Sequence, residues 1–70
     1  MQIEAEKVAN AYREFKSKLT PREKEIVTKY YGIEKEVRHT LAELGEMQNV
    51  TRERIRQIKV IALEKLKISP

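Results

Sequence analysis

An all-α fold of four helices, closing in a helix-turn-helix, follows from three features of this chain. Two Thr-x-x-Glu words, Thr20 to Glu23 and Thr40 to Glu43, have the form of capping boxes, in which side-chain oxygens take up the first free amides of a helix. Apolar residues recur at steps of three and four between these words, which is the spacing of one helix face. Gly32 and Asn49 stand where helices have to stop, and both residue types accept the left-handed backbone that ends them.

The first helix is expected over about residues 2 to 18, with Ala5, Val8, Tyr12, Phe15 and Leu19 on its core side. Thr20 caps the second, and Pro21 falls at its first position, where a missing amide hydrogen costs nothing. Ile26, Val27 and Tyr30 supply its buried side. Gly32 ends it as a left-handed residue, and Ile33 gives the apolar contact that accompanies such an end. Residues 33 to 39 then read as a connection, with Glu34 and Glu36 in a solvated loop and His39 just ahead of the Thr40 cap. The third helix covers about 40 to 48. Asn49 makes the turn, Gly45 lets the next helix come close, and Val50 with Ile55 and Ile58 closes the wedge between them. The fourth helix covers about 51 to 67, capped by Thr51 and ending before Ser69-Pro70, with Ile55, Ile58, Ala62 and Leu66 as its core face.

Seventy residues make a single domain, here read as 1–70 with the helix-turn-helix over about 40–67. A chain this short buries only about 60% of its unfolded surface, so its helices must pack efficiently or find a partner. The absence of cysteine removes disulfides and thiolate metal sites and fits a reducing cytoplasm. No apolar run approaches the length of a membrane span, and Met1-Gln2-Ile3-Glu4 has neither the basic nor the apolar part of a secretion signal. The net charge of +4 is unevenly placed: +1 over residues 1–20, −1 over 21–50, and +4 over 51–70, where six basic residues face two acidic ones. A localised basic helix calls for a polyanion. Nucleic acid fits better than a membrane surface, because the cations alternate with Glu53 and Gln57 instead of edging a broad apolar side.

The face of the fourth helix opposite its core carries Glu53, Arg56 and Gln57, flanked by Arg52 and Arg54. Arg can bond bidentately to guanine, Glu can accept from the cytosine amino group and Gln can pair with adenine, each contact discriminating by about 1–3 kcal/mol. Nothing comparable points to catalysis. His39 is the only histidine and has no carboxylate at metal-ligand spacing, and Gly32 and Gly45 form no phosphate loop. An enzyme, a metal and a cofactor are therefore not expected.

The segment TRERIRQI from Thr51, preceded by TLAELG from Thr40 and by LTPREKEIVTKYYG from Leu19, resembles region 4 of the primary bacterial sigma factors of the sigma-70 family. The likeness spans roughly residues 19 to 67. It implies a domain that reads the −35 promoter element with its last helix and docks on the β-subunit flap of RNA polymerase in the bacterial cytoplasm, at the nucleoid. By position it makes Arg52, Glu53 and Gln57 the base contacts, and Thr51, Arg54 and Arg56 the phosphate contacts. The chain carries no counterpart of the regions that melt the −10 element, so the likeness implies a fragment or a small protein that borrows the polymerase.

The chain also departs from that pattern. Gln48 stands where the family places an apolar residue, with Met47 expected to supply the missing packing. Tyr30 replaces an Arg and Ala42 a Glu, removing two backbone contacts. Val60, Ile61 and Glu64 replace the polar and basic residues through which activators touch region 4, so activator response is not carried over. The wheel leaves Val60 and Ile61 exposed as a patch for a protein partner, with ordinary surface as the competing reading. Two rival functions stay open: a free-standing homodimeric regulator joined through Val60 and Ile61, and a module that binds the flap or an anti-sigma factor with little DNA contact.

Overall fold

The structure, a computed structural model, describes residues 3–68, and the expectations for Gln2 and for Ser69-Pro70 lie outside them. Four α-helices follow one another: α1 (Ile3–Phe15), α2 (Pro21–Tyr31), α3 (Leu41–Gln48) and α4 (Arg52–Lys65), with a 3-10 turn at Lys16–Lys18 after α1. No strand occurs among the described residues.

The caps form as their residues dictate. Thr20 Oγ1 accepts from the Glu23 amide at 3.2 Å, while Glu23 Oε1 accepts from the Thr20 amide at 2.9 Å. Thr40 and Glu43 repeat the arrangement at 3.0 and 2.8 Å. Gly32 ends α2 at φ 69°, and the amide of Ile33 closes on the Thr28 carbonyl at 2.8 Å with Ile33 itself buried. At the other end α4 stops two residues earlier than its apolar period suggests. Lys67 turns left-handed at φ 64°, the Ile68 amide returns to the Leu63 carbonyl at 2.9 Å, and Ile68 packs back on the core.

Two apolar clusters form the core, and α2 and α4 run through both. Val8, Tyr12 and Leu19 meet Val27, Tyr31, Ile33, the distal part of α4 (Ala62, Leu63) and Leu66 just beyond it in the first. Ile26, Leu44, Ile55 and Ile58 form the second, edged by Leu41 and Val50. Tyr30, expected on the buried side of α2, is instead half-buried, and its neighbour Tyr31 takes the buried place. The reason is that α2 faces two clusters: Tyr31 lies one turn from Val27 over the first, which leaves Tyr30 at the seam, touching both.

Outside the clusters an ion pair ties the end of α4 to the start of α2. Lys65 of α4 donates to both carboxylate oxygens of Glu23 at 2.9 and 3.0 Å, so a single buried carboxylate both caps α2 and pins the far end of α4. Burial alone pulls this carboxyl upward; the Thr20 amide and the Lys65 ammonium outweigh it and hold it below the usual carboxylate range.

Candidate nucleic-acid interface

The turn between α3 and α4 is three residues, Asn49 to Thr51, and its tightness comes from two positions. Asn49 is left-handed at φ 62°, and the Val50 amide closes on the Gly45 carbonyl at 2.8 Å. A Cβ added at Gly45 would come within 2.7 Å of the Val50 carbonyl and 3.2 Å of the Arg52 amide. The start of α4 therefore rests against α3 backbone to backbone, with Val50, Ile55 and Ile58 filling the wedge as expected and Leu44 of α3 joining them. Met47 takes no part. It is 49% exposed, because Leu41 and Leu44 already fill the inner face of α3 and position 47 turns away from it; Gln48 is half-buried instead, its Oε1 enclosed without a hydrogen bond.

Thr51 caps α4 by accepting from the Arg54 amide at 3.1 Å. From that fixed start Arg52, Glu53, Arg54, Arg56 and Gln57 all stand exposed on the surface away from the core. Glu53 and Arg56 do not stand apart: the guanidinium donates to both carboxylate oxygens, at 3.1 and 2.7 Å. That fork holds the Glu53 carboxyl below the ordinary carboxylate range, with the Arg56 hydrogen bonds first among the causes and smaller contributions from Gln57 and Arg52, and it pushes Arg56 up. The carboxylate stays ionised and oriented, with lone pairs left over to accept from an amino group.

Arg52, Glu53 and Arg56 form one wall of an open cleft of about 670 Å³ whose other wall is Tyr30, Arg38 and His39, reaching the start of α3. Gln57 and Arg54 lie on α4 outside that lining. The His39 amide donates to the Lys29 carbonyl at 2.8 Å, which fastens the connection against α2 and brings Arg38 opposite the α4 arginines. By sequence Arg38 and His39 fall in a loop and Tyr30 on a core face, so local pattern alone does not mark them as lining this cleft. Lys59 was missed as well, although a cation only 40° from Ile55 on the wheel needs a place to go; here its ammonium lies 4.5 Å from the centre of the Tyr30 ring.

The expected apolar patch is smaller than its sequence. Ile61 is 43% exposed, but Val60 is half-buried, since Leu63 joins the core and widens the buried arc of α4 toward it. The acidic residues of the connection are exposed and sit beside cations of neighbouring helices, Glu34 with Lys16 at 3.7 Å and Glu36 with Lys29 at 3.4 Å.

A capped helix with an outward row of long polar side chains, locked to a second helix by a glycine contact, is the geometry of a helix-turn-helix. Residues 17–67 match the family described as "Sigma-70, region 4". The chain belongs to the sigma-70 region 4 family. It is 42% identical over 62 residues to the probable RNA polymerase sigma-C factor of Synechocystis sp., a match covering 89% of this chain and 15% of that protein. It is 47% identical over 55 residues to the RNA polymerase sigma factor RpoD of Neisseria gonorrhoeae (79% of this chain, 9% of that one) and 49% identical over 51 residues to the sigma factor SigA1 of Synechococcus elongatus (73% and 13%). The chain thus spans only 9 to 15% of the length of these relatives. No solved structure matches it. Region 4 as matched begins after α1, within the 3-10 turn, and takes in every residue of the cleft. Among the described residues no helix is long and apolar enough to cross a membrane, and no group of His, Cys, Asp and Glu could hold a metal ion.

Proposed function

We propose that this chain is the promoter-reading module of an RNA polymerase sigma factor or sigma-like protein: α4 enters the major groove of the −35 element while the domain is carried by the polymerase, in part through the β-subunit flap. The observation that carries this is α4 itself, whose start is fixed by Thr51 and Gly45 and whose outward face presents Arg52, Glu53 and Gln57 together. In the complex those three side chains meet base edges, and Thr51, Arg54 and Arg56 meet phosphates and set the register. The role is non-catalytic, and its place is the bacterial cytoplasm, at the nucleoid. A single helix-turn-helix makes few contacts, so its intrinsic affinity is low; tethering to polymerase raises its occupancy through effective concentration and leaves the choice among sequences to α4.

The Glu53–Arg56 fork adds a detail to these roles. Arg56 serves a phosphate and Glu53 a base, and the two are joined before DNA arrives, so the carboxylate is oriented without ordering cost at binding. Ile61, with the rim of Val60, is read as a small contact for a polymerase-bound protein, an anti-sigma factor or an activator among the candidates. One half-exposed isoleucine is far below the roughly 1,200 Å² of buried surface that a stable homodimer needs.

Competition on duplexes that differ by single base pairs tests the assignment. Arg52→Ala and Gln57→Ala should each cost about 1–3 kcal/mol on the preferred −35 duplex and flatten discrimination at one position, while Arg54→Ala should weaken every duplex alike. Equal losses on all duplexes from all three variants would show that no base is read.

A further inference from the structure

Tyr30 holds two cations without neutralising either. Its backbone carbonyl accepts from Arg38 Nε at 3.4 Å, and its ring lies under the Lys59 ammonium at 4.5 Å. Neither cation has a carboxylate within ion-pair distance among the described residues. The difference from Arg56 is chemical: a carboxylate fork cancels the charge it positions, whereas a carbonyl dipole and a π face position a cation and leave its full charge to act outward.

The placement gives that charge a direction. Arg52, Arg56 and Lys59 fall at i, i+4 and i+7 and so form one strip along α4; Arg52 and Arg56 line the open cleft together with Tyr30 and, from the connection, Arg38, and Lys59 adjoins it at the Tyr30 ring. Cations on both rims of an open cleft, beside a helix that presents base-reading side chains, match a polyanion with regularly spaced charges. We propose that Arg38 and Lys59, gathered by Tyr30, are a second phosphate-gripping pair that binds the DNA backbone beside the recognition helix. The inference deepens the promoter-reading role above and rests on it. Tyr30 acts as a positioning residue, and the two cations touch the DNA.

The test is the salt dependence of binding by the full chain to two duplexes, one carrying a −35 element and one with that element scrambled, between about 50 and 200 mM salt. Lys59→Gln and Arg38→Gln should each make the log-log slope shallower by about 0.9, the value for one phosphate contact; over that fourfold range this is about a 3.5-fold smaller loss of affinity. At the low-salt end both variants should bind more weakly than wild type and by the same factor on both duplexes. Tyr30→Phe, which keeps the ring and the carbonyl, should behave as wild type. Tyr30→Leu, checked for folding by thermal unfolding, should weaken both duplexes equally.

Slopes unchanged in both Gln variants would overturn the phosphate pair and leave promoter reading intact. A change in the ratio between the two duplexes for Lys59→Gln would also overturn it, by making Lys59 a reader of bases. If wild type binds both duplexes equally while the slopes fall as stated, promoter reading fails and the phosphate pair stands. If wild type binds neither, both fail.

Discussion

Gly45→Ala is the perturbation in which helix propensity and tertiary packing disagree about the sign. Gly45 sits inside α3, and by propensity alone alanine there should stabilise the domain by about 1 kcal/mol. The structure reverses this. The new methyl would stand 2.7 Å from the Val50 carbonyl and 3.2 Å from the Arg52 amide, both backbone atoms that cannot turn aside as a side chain would. Overpacking of this kind costs about 1–3 kcal/mol, and moving the turn away strains or breaks the 2.8 Å hydrogen bond from the Val50 amide to the Gly45 carbonyl, about 0.5–1.5 kcal/mol more. Set against the propensity gain, the net loss is about 1–3 kcal/mol. For a domain of this size that lowers the melting temperature by roughly 5–20 °C, read by circular dichroism. DNA affinity should fall further than stability alone explains, because the start of α4 is the part displaced. A melting temperature that rises, as it would for an ordinary helix-interior glycine, would refute the close approach and with it the fixed presentation of Arg52 and Glu53.

Glu23 governs the response to acid. Its folded carboxyl is held below the ordinary value of 4.5, so its contribution is complete above that value and is lost as pH falls through the lower folded one. Wild type should therefore lose stability to urea below about pH 4.5 more steeply than Glu23→Gln, and equal pH profiles would deny the pair with Lys65 its role. At neutral pH, Glu23→Ala should cost about 1–3 kcal/mol, having removed half of a capping box and a charged hydrogen bond together. Arg56→Gln removes the fork on Glu53, and discrimination at the base facing Glu53 should weaken along with general affinity; a purely uniform loss would make the fork incidental. Val60→Asn with Ile61→Lys should leave the sedimentation coefficient of the free chain unchanged and weaken polymerase-dependent transcription; an altered oligomeric state would favour the homodimer instead.

What the sequence by itself determined is local. Thr20 with Glu23, Thr40 with Glu43, Thr51, Gly32 and Asn49 each act within about four residues of backbone, so their spacing placed the helix starts and both left-handed stops, and the period of Ile55, Ile58, Ala62 and Leu66 named the inner face of α4. The outward row Arg52, Glu53, Gln57 follows from the same period by subtraction. Tertiary structure decided the rest. Met47 stays in solvent because Leu41 and Leu44 already fill the inner face of α3, while Tyr31 in place of Tyr30 in the core and the turn at Lys67 that ends α4 early depend on α2 and α4 facing two clusters at once, which no single helix period encodes. The cleft has the same origin. Lys65 meets Glu23 across 42 positions, and Arg38 and Lys59 meet at Tyr30 from 8 and 29 positions away, because the connection is fastened to α2 while α4 crosses it. Side chains so far apart in sequence become neighbours only when helix packing sets their angles, and that packing is a property of the whole core.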